Sequence, residues 1–404
     1  MNINRKQAID RAEASTYADL FRFLNSGFAV LVLDGADSAL VFGIQGYDKR
    51  SVSEPSGEDN VMGAKDGFIE VVRVNMSLLR RRMKTPQLKL ELFVKGSKSQ
   101  TDLCLCYMAD RVPQSLIAQI KAQLDEMELE SILSSGYLQP FLENRRGCLF
   151  DTVGTTQRPD VLCAKLLEGR VGLLIDGTPF ALVIPKLFCE SFQTMDDYCY
   201  RPAYATLVRW IKYAAFLVAV LLPALYVAIA LHHPELLNRT LLLILADAEE
   251  NAPISLTAEA IGVLLVYEII REAGLRLPKA VGGAVSIVAG LIIGDAAVAS
   301  GLISTPMLTV TAIAVIAGFV VPDLAQSITL LRLAFLLIAG FWGLFGISLL
   351  GAAVLFNLCA GESFGFPITA PIAPLYKKGF RDTLTRVSFR KMQSGGFTVE
   401  EYHE

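Results

Sequence analysis

The hydrophobic rhythm of the chain changes near its middle. In the first half the apolar runs are short and alternate with polar stretches. Residues 27–33 and 39–45 are apolar and partly β-branched, which predicts strands. Residues 67–83 repeat apolar side chains at a helical interval (Phe68, Val71, Val72, Met76, Leu79) and close on Arg80, Arg81 and Arg82. Leu88, Leu90, Leu92 and Val94 share one face of a strand, and residues 102–108 are its expected partner. Residues 113–133 are predicted helical. Another helix opens at Arg158-Pro159-Asp160, with proline in the first turn where its missing N–H costs nothing, and stops at Glu168-Gly169. Strands 171–175 and 180–184 flank a tight Asp176-Gly177 turn. Strands interleaved with helices predict an α/β domain over residues 1–206, a mixed sheet with helices packed on it.

Beyond residue 206 the runs lengthen. Residues 213–231 carry no charge and are long enough to cross a bilayer. Arg209 and Lys212 precede them, which places that end in the cytoplasm. Pro223 predicts a kink, and His232-His233-Pro234-Glu235 an outer loop. Residues 241–246 and 254–270 follow, interrupted by Asp247, Glu249 and Glu250. Then come 280–300, 307–321 and 333–360, rich in small residues that let membrane helices approach closely. Five crossings would leave the tail outside, yet the tail after Leu375 carries Lys377, Lys378, Arg381, Arg386, Arg390 and Lys391. One stretch is therefore expected to be re-entrant or interfacial, with 241–270 the suspect. The expected organisation is an α-helical multi-span membrane domain over 207–375 with about four spans, and a basic cytoplasmic tail over 376–404.

Composition supports this division. The 404 residues are 53% hydrophobic and 19% charged, against about 25% charged in an ordinary soluble domain. Residues 1–206 hold 24 Lys+Arg and 26 Asp+Glu, and between Lys279 and Arg332 the only charges are Asp295 and Asp323. A net charge of −3 argues against a nucleic-acid partner. Three histidines argue against a His-rich metal site. The seven cysteines include no CxxC pair. Cys104 and Cys106 would face one side of a strand, so buried thiols in a reducing compartment are expected. The N-terminus lacks the apolar core of a signal peptide, so the α/β domain is expected in the cytoplasm.

Ionisable groups inside membrane segments are candidates for function. Asp295 is read either as a cation-site or pore-facing carboxylate, or as a protonated acid or a group hydrogen-bonded to a neighbouring helix. Glu259 and Glu268 are read either as lining a pathway or as packing at the water interface. Glu268 has Arg271 at i+3, which favours packing at the water interface. Arg332 is read as an interfacial anchor. Arg80–Arg82 are read as a solvated helix end, and Glu168-Gly169-Arg170 as a helix stop with a structural ion pair. No nucleophile-plus-base motif, phosphate loop or metal cluster is visible, so no catalysis and no cofactor are expected.

Several longer motifs carry a resemblance. They are Arg50-Ser-Val-Ser-Glu-Pro55, Gln157-Arg-Pro-Asp160, Glu168-Gly-Arg-Val171, Tyr226-Val-Ala with His233-Pro-Glu-Leu-Leu237, and Glu268-Ile-Ile-Arg-Glu-Ala-Gly-Leu-Arg-Leu-Pro278. Val285-Ser-Ile-Val-Ala-Gly-Leu-Ile-Ile-Gly-Asp-Ala-Ala-Val298, Ser363-Phe-Gly-Phe-Pro367 and Ala370-Pro-Ile-Ala-Pro374 continue the series. Over about Lys49 to Leu375 the chain resembles the spore germination receptor A subunits of the GerA family. It departs from them in a shorter stretch before Lys49, in Asp295 where the family usually has Gln, and in Ala252-Pro-Ile-Ser255 before the Glu259 helix.

The resemblance implies an integral protein of the spore inner membrane. It implies partnership with a transporter-like B subunit that binds the nutrient and with a C-subunit lipoprotein. It further implies a ring-shaped homo-oligomer whose cation path opens to release monovalent ions. A related class, encoded with late sporulation genes, is expected to amplify that release. The competing readings are a secondary transporter, a membrane enzyme and a non-conducting scaffold. A transporter would show saturable uptake by the isolated chain, and no inverted repeat supports it. Asp295, Glu259, Glu268 and Ser286 are the candidate ion-path or subunit-interface residues.

Overall fold

The computed structural model describes residues 11–43, 50–55, 57–58, 60–143, 147–250, 253–277, 290, 294–376 and 379–392. The chain opens with a small unit: β1 (Arg11–Ala14), α1 (Tyr17–Asn25), β2 (Ala29–Leu31) and β3 (Ala39–Phe42). The strands form an antiparallel sheet in the order β1-β3-β2. Thr16 caps α1 by accepting from the Asp19 N–H at 3.1 Å. Neither β1 nor α1 was expected from the sequence, although α1 carries Tyr17, Leu20, Phe21, Phe23 and Leu24.

The main domain contains α2 (Val72–Arg82), β4 (Leu88–Lys95), β5 (Thr101–Met108), α3 (Gln114–Asp125), α4 (Gln139–Leu142), β6 (Gly154–Thr156), α5 (Pro159–Leu167), β7 (Val171–Ile175) and β8 (Ala181–Ile184). The five strands lie in the order β4-β5-β7-β8-β6. All of their pairings are antiparallel, where a mixed sheet was expected. α3, α4 and α5 fall between β5 and β7, which pair antiparallel, so helices and strands alternate without a parallel crossover. Leu103 and Leu105 face α3, while Cys104 and Cys106 face α2 and α5, so β5 is buried on both faces. The two thiols lie 3.7 Å apart.

Two expected helices are shorter than read. Residues 67–70 are extended because the Phe68 N–H bonds Gln157 O at 2.7 Å and Asn75 brackets the Ile69 backbone. The helix expected over 113–133 ends at Asp125. The motif loops meet on this domain: Glu58 accepts from Thr156 Oγ1 and Gln157 N at 2.9 Å each, and Arg158 Nη2 donates to Ala64 O at 2.9 Å. Burial pushes the Glu58 carboxyl up despite those hydrogen bonds. Arg81 and Arg82 both pair with Asp66, which makes the arginine run a structural clamp.

After α6 (Asp196–Cys199) the helical layer begins. It comprises α7 (Pro202–His232), α8 (Arg239–Glu250), α9 (Leu256–Arg276), α10 (helical over residues 294–299), α11 (Thr305–Phe319) and α12 (Ala325–Cys359). Among the described residues two helices are long and apolar enough to cross a membrane, Pro202–His232 and Pro322–Cys359. α9 has the length, but Glu259, Glu268, Arg271, Glu272 and Arg276 interrupt it. α11 has only 15 residues.

The second long helix is not straight. A continuous 35-residue helix would extend about 52 Å. Yet Ser327 Oγ donates to Leu149 O at 2.7 Å, and near the other end Asn357 Oδ1 accepts from Leu149 N at 3.2 Å. Both ends thus meet one residue of the α/β domain. The reversal is at Gly343, with φ 57 and ψ −142. A Cβ on Gly346 would collide with Ile338 and Trp342, so the arms touch just past the turn. The stretch read as one apolar segment is therefore an outgoing arm, residues 325–342, and a returning arm, residues 344–359.

Side-chain neighbours orient the rest. α7 leaves the α/β domain beside the outgoing arm: Ala219 lies at the level of Arg332, and His232 reaches Gly340 O at 2.9 Å. α9 and α11 run back toward the domain. Thr257 is level with Gly340 and Glu268 with Thr329; Met307 packs near Val227, and Gly318 near Ala219. The described chain on either side of 278–293 therefore lies at opposite ends of the layer. The returning arm brings the chain home, and Phe364 and Phe366 of the β9 (Glu362–Ser363)–β10 (Phe366–Pro367) hairpin enter the α/β core beside Leu138, Leu142 and Val153.

The tail, with its short α13 (Phe389–Met392), clasps the base of α7. Arg209 pairs with Asp197 at 2.9 Å and Asp382 at 3.0 Å, and Lys212 pairs with Asp197 at 3.4 Å. Tyr198 OH donates to Asp382 Oδ2 at 2.7 Å, Trp210 Nε1 to Leu384 O at 3.0 Å, and Arg386 N to Thr206 Oγ1 at 3.0 Å. Arg209 and Lys212, read in the sequence only as placing this end in the cytoplasm, are buried under these contacts. Asp382→Asn is expected to loosen the clasp by about 1–3 kcal/mol, the range for charge-assisted hydrogen bonds. Limited proteolysis should then cleave the tail faster; unchanged cleavage would show that Trp210 and Arg386 hold it alone.

Candidate functional site

The polar groups of the helical layer concentrate on the seam where α9, α11 and the outgoing arm of α12 meet. Glu259 sits in the first turn of α9, where a carboxylate suits the helix dipole. It is almost fully buried. Its Oε1 accepts from Ser304 N at 2.6 Å and Ser304 Oγ at 2.7 Å, which ties α9 to the residue that caps α11. Its Oε2 is buried and has no hydrogen-bond partner among the described residues. Thr311 Oγ1, two turns further along α11, is likewise buried without a partner.

Toward the α/β domain the seam continues through Arg332, which is 4% exposed. It then reaches Glu268, which accepts from Thr329 Oγ1 at 3.0 Å and pairs with Arg271 at 2.6 Å. Tyr267 stands beside Phe319 at 6.4 Å between ring centroids. Close approach is built in here, because a Cβ on Gly340 would lie 2.6 Å from Thr257. The seam is thus a row of polar side chains inside an apolar layer, with unmet hydrogen-bonding capacity at Glu259, Thr311 and Arg332. Such capacity suits an ion that sheds water, a bound polar molecule, or a partner helix.

The four sequence candidates are not gathered in one place. Glu259 and Glu268 both lie on the seam, at opposite ends of α9. Asp295 is exposed on α10, close to the start of α11 rather than deep in a buried helix. Ser286 lies outside the described residues. Arg332, read as an interfacial anchor, is instead buried at the centre of the seam. Thr311 and Ser304 were missed, because hydroxyls in an apolar run carry no signal until their neighbours are known. The expected ion pair of Glu168-Gly169-Arg170 is present and larger than expected, joined by Lys165 and Glu190. No cluster of His, Cys, Asp or Glu able to hold a metal occurs among the described residues.

Comparison with known proteins places these features in context. The family model described as Bacillus/Clostridium GerA spore germination protein matches residues 3–395. Spore germination protein KA of Bacillus subtilis is 38% identical over 380 residues, which are 93% of this chain and 70% of that protein. Spore germination protein GerLA of Bacillus cereus is 32% identical over 375 residues, 92% of this chain and 76% of that protein. The crystal structure of the N-terminal domain of the A subunit of the Bacillus megaterium spore germinant receptor GerK3 is 32% identical. It covers 45% of this chain and 64% of that chain, with a TM-score of 0.26.

Proposed function

Since the chain belongs to the GerA family of spore germination proteins, we propose that it is the A subunit of a nutrient-germinant receptor and builds a ligand-gated path for monovalent cations. The observation that carries this reading is the buried, half-satisfied carboxylate of Glu259 on a polar seam through the helical layer. A carboxylate held by Ser304 on one oxygen and open on the other can replace part of a cation's hydration shell. On this reading the helical layer crosses the spore inner membrane, with the α/β domain and the clasped tail on the cytoplasmic side. Exposed Leu217 on α7 and Phe341 and Phe345 near the α12 turn support a lipid-facing surface. Partners of the same receptor, a transporter-like B subunit and a C-subunit lipoprotein, supply nutrient recognition, and copies of this chain assemble around the pathway. No catalytic step is assigned to the chain.

The test is cation efflux from liposomes that hold the chain together with its B and C subunits. Nutrient-stimulated efflux above empty liposomes is expected. Glu259→Gln should reduce it at least tenfold, because the amide oxygen keeps both Ser304 hydrogen bonds but the charge is lost. Efflux equal to empty liposomes with and without nutrient would favour a scaffold instead.

A further inference from the structure

Arg332 is the one seam residue that a cation path does not by itself require. A fixed positive charge there would repel the ion. Its Nε and Nη1 have no hydrogen-bond partner among the described residues, and no ion pair reaches it there. Space is nevertheless provided: a Cβ on Gly318 would lie 3.4 Å from Arg332 Nη2 and 3.9 Å from the Ala219 Cβ, so the guanidinium occupies room that a larger residue on α11 would crowd. An uncompensated buried charge is strongly unfavourable, so a counter-charge must come within reach in some state of the protein.

Among the acidic residues of the helical layer, Asp247 is exposed on α8, Glu249 and Glu250 end that helix, and Asp323 stands before α12. Glu259 is held by Ser304 at the far end of α9. Glu272 pairs with Arg276 at 2.6 Å. Asp295 is exposed on α10, and residues 278–293 contain no acid. Glu268 already reaches across the seam to Thr329, one turn before Arg332 on the same helix. Glu268 therefore stands between two arginines and engages only Arg271 here.

We propose that Arg332 is a positioning residue of the gate. The Glu268 carboxylate passes between Arg271 on its own helix and Arg332 across the seam, and this structure holds the first arrangement. Paired with Arg271, the carboxylate meets α12 only through the Thr329 hydroxyl. Paired with Arg332, it ties α9 to the outgoing arm of α12 and neutralises the buried cation on the path. The role of this exchange in gating rests on the channel reading above, whereas the exchange itself does not.

Two measurements on the full chain in nanodiscs test this. The first is a melting-temperature cycle. Arg332→Met should raise the melting temperature, because it removes an unpaired buried charge. Arg271→Met should lower it slightly in the parent, where Glu268 re-pairs with Arg332, and at least twice as much in the Arg332→Met background, where Glu268 is stranded. Additive effects, or a lower melting temperature for Arg332→Met, would overturn the exchange. The second is nutrient-stimulated flux of the complete receptor, where Arg332→Met should lose at least tenfold while its stability rises. Undiminished flux would overturn the gating role. Absence of flux in the parent would sink the channel reading, and the melting cycle would then decide the exchange alone.

Discussion

Glu190→Gln is expected to destabilise the α/β domain by about 3–5 kcal/mol, the cost of stranding buried cations. Glu190 accepts from Lys165 Nζ at 3.0 Å and from Leu187 N at 3.2 Å, and pairs with the fully buried Arg170. Arg170 also donates to Pro185 O at 3.1 Å and meets Glu168 at 3.3 Å. Burial alone would raise the Glu190 carboxyl, but Arg170 and Lys165 outweigh it and hold the group at about 2, below its ordinary 4.5. A carboxyl depressed in the folded state contributes fully above about 4.5 and loses that contribution as pH falls toward 2. Chemical denaturation of the purified chain at several pH values would measure this. The parent should lose stability across that window and Glu190→Gln should respond less. Equal slopes would mean that the acid sensitivity resides elsewhere.

Gly343→Val should act on the helical layer with comparable force. The backbone of Gly343 lies in a region that L side chains rarely enter, which costs about 1–3 kcal/mol in strain. A Cβ there would also lie 2.9 Å from His232 Cβ and 3.0 Å from His232 Cγ. Without the turn, the two arms of α12 cannot both reach Leu149. Cys359, exposed at the end of the returning arm, and Cys199, exposed beside the base of α7, provide the readout. An impermeant thiol reagent should label both from one side in the parent. In Gly343→Val, Cys359 should lose that sidedness and the melting temperature should fall. Unchanged labelling and melting would show that the rest of the seam sets the reversal.

Much of the α/β domain is legible in the sequence because its signals are local. The alternation of Leu88 to Val94, the Asp176-Gly177 turn and Pro159 at a helix start each depend on a few neighbouring residues. The helical layer is less legible for the opposite reason. Gly340, Gly343 and Gly346 have the spacing of close-packing glycines, and nothing in composition separates a packing glycine from one that reverses the chain. Arg209 before an apolar run reads as a boundary marker, while its partner Asp382 lies near the other end of the chain. Glu259 was visible as a charge in an apolar context. Arg332 was visible too, but its burial depends on Gly318 and Ala219, which the sequence does not bring together.

The Phe364–Phe366 insertion also sets an order of events during synthesis. Strand β8 leaves the ribosome long before the hairpin that completes the core beside it. At about 5–20 residues per second, roughly 10–40 s separate the two. Throughout that interval the nascent α/β domain lacks Phe364 and Phe366 from the core cluster that also holds Leu138, Leu142 and Val153. Final consolidation of that domain therefore waits until the returning arm of α12 has been made. A truncated product ending before the hairpin would leave that apolar cluster incomplete, a defect of the kind that chaperones and proteases recognise. The fold thereby contains its own check that the helical layer has been completed.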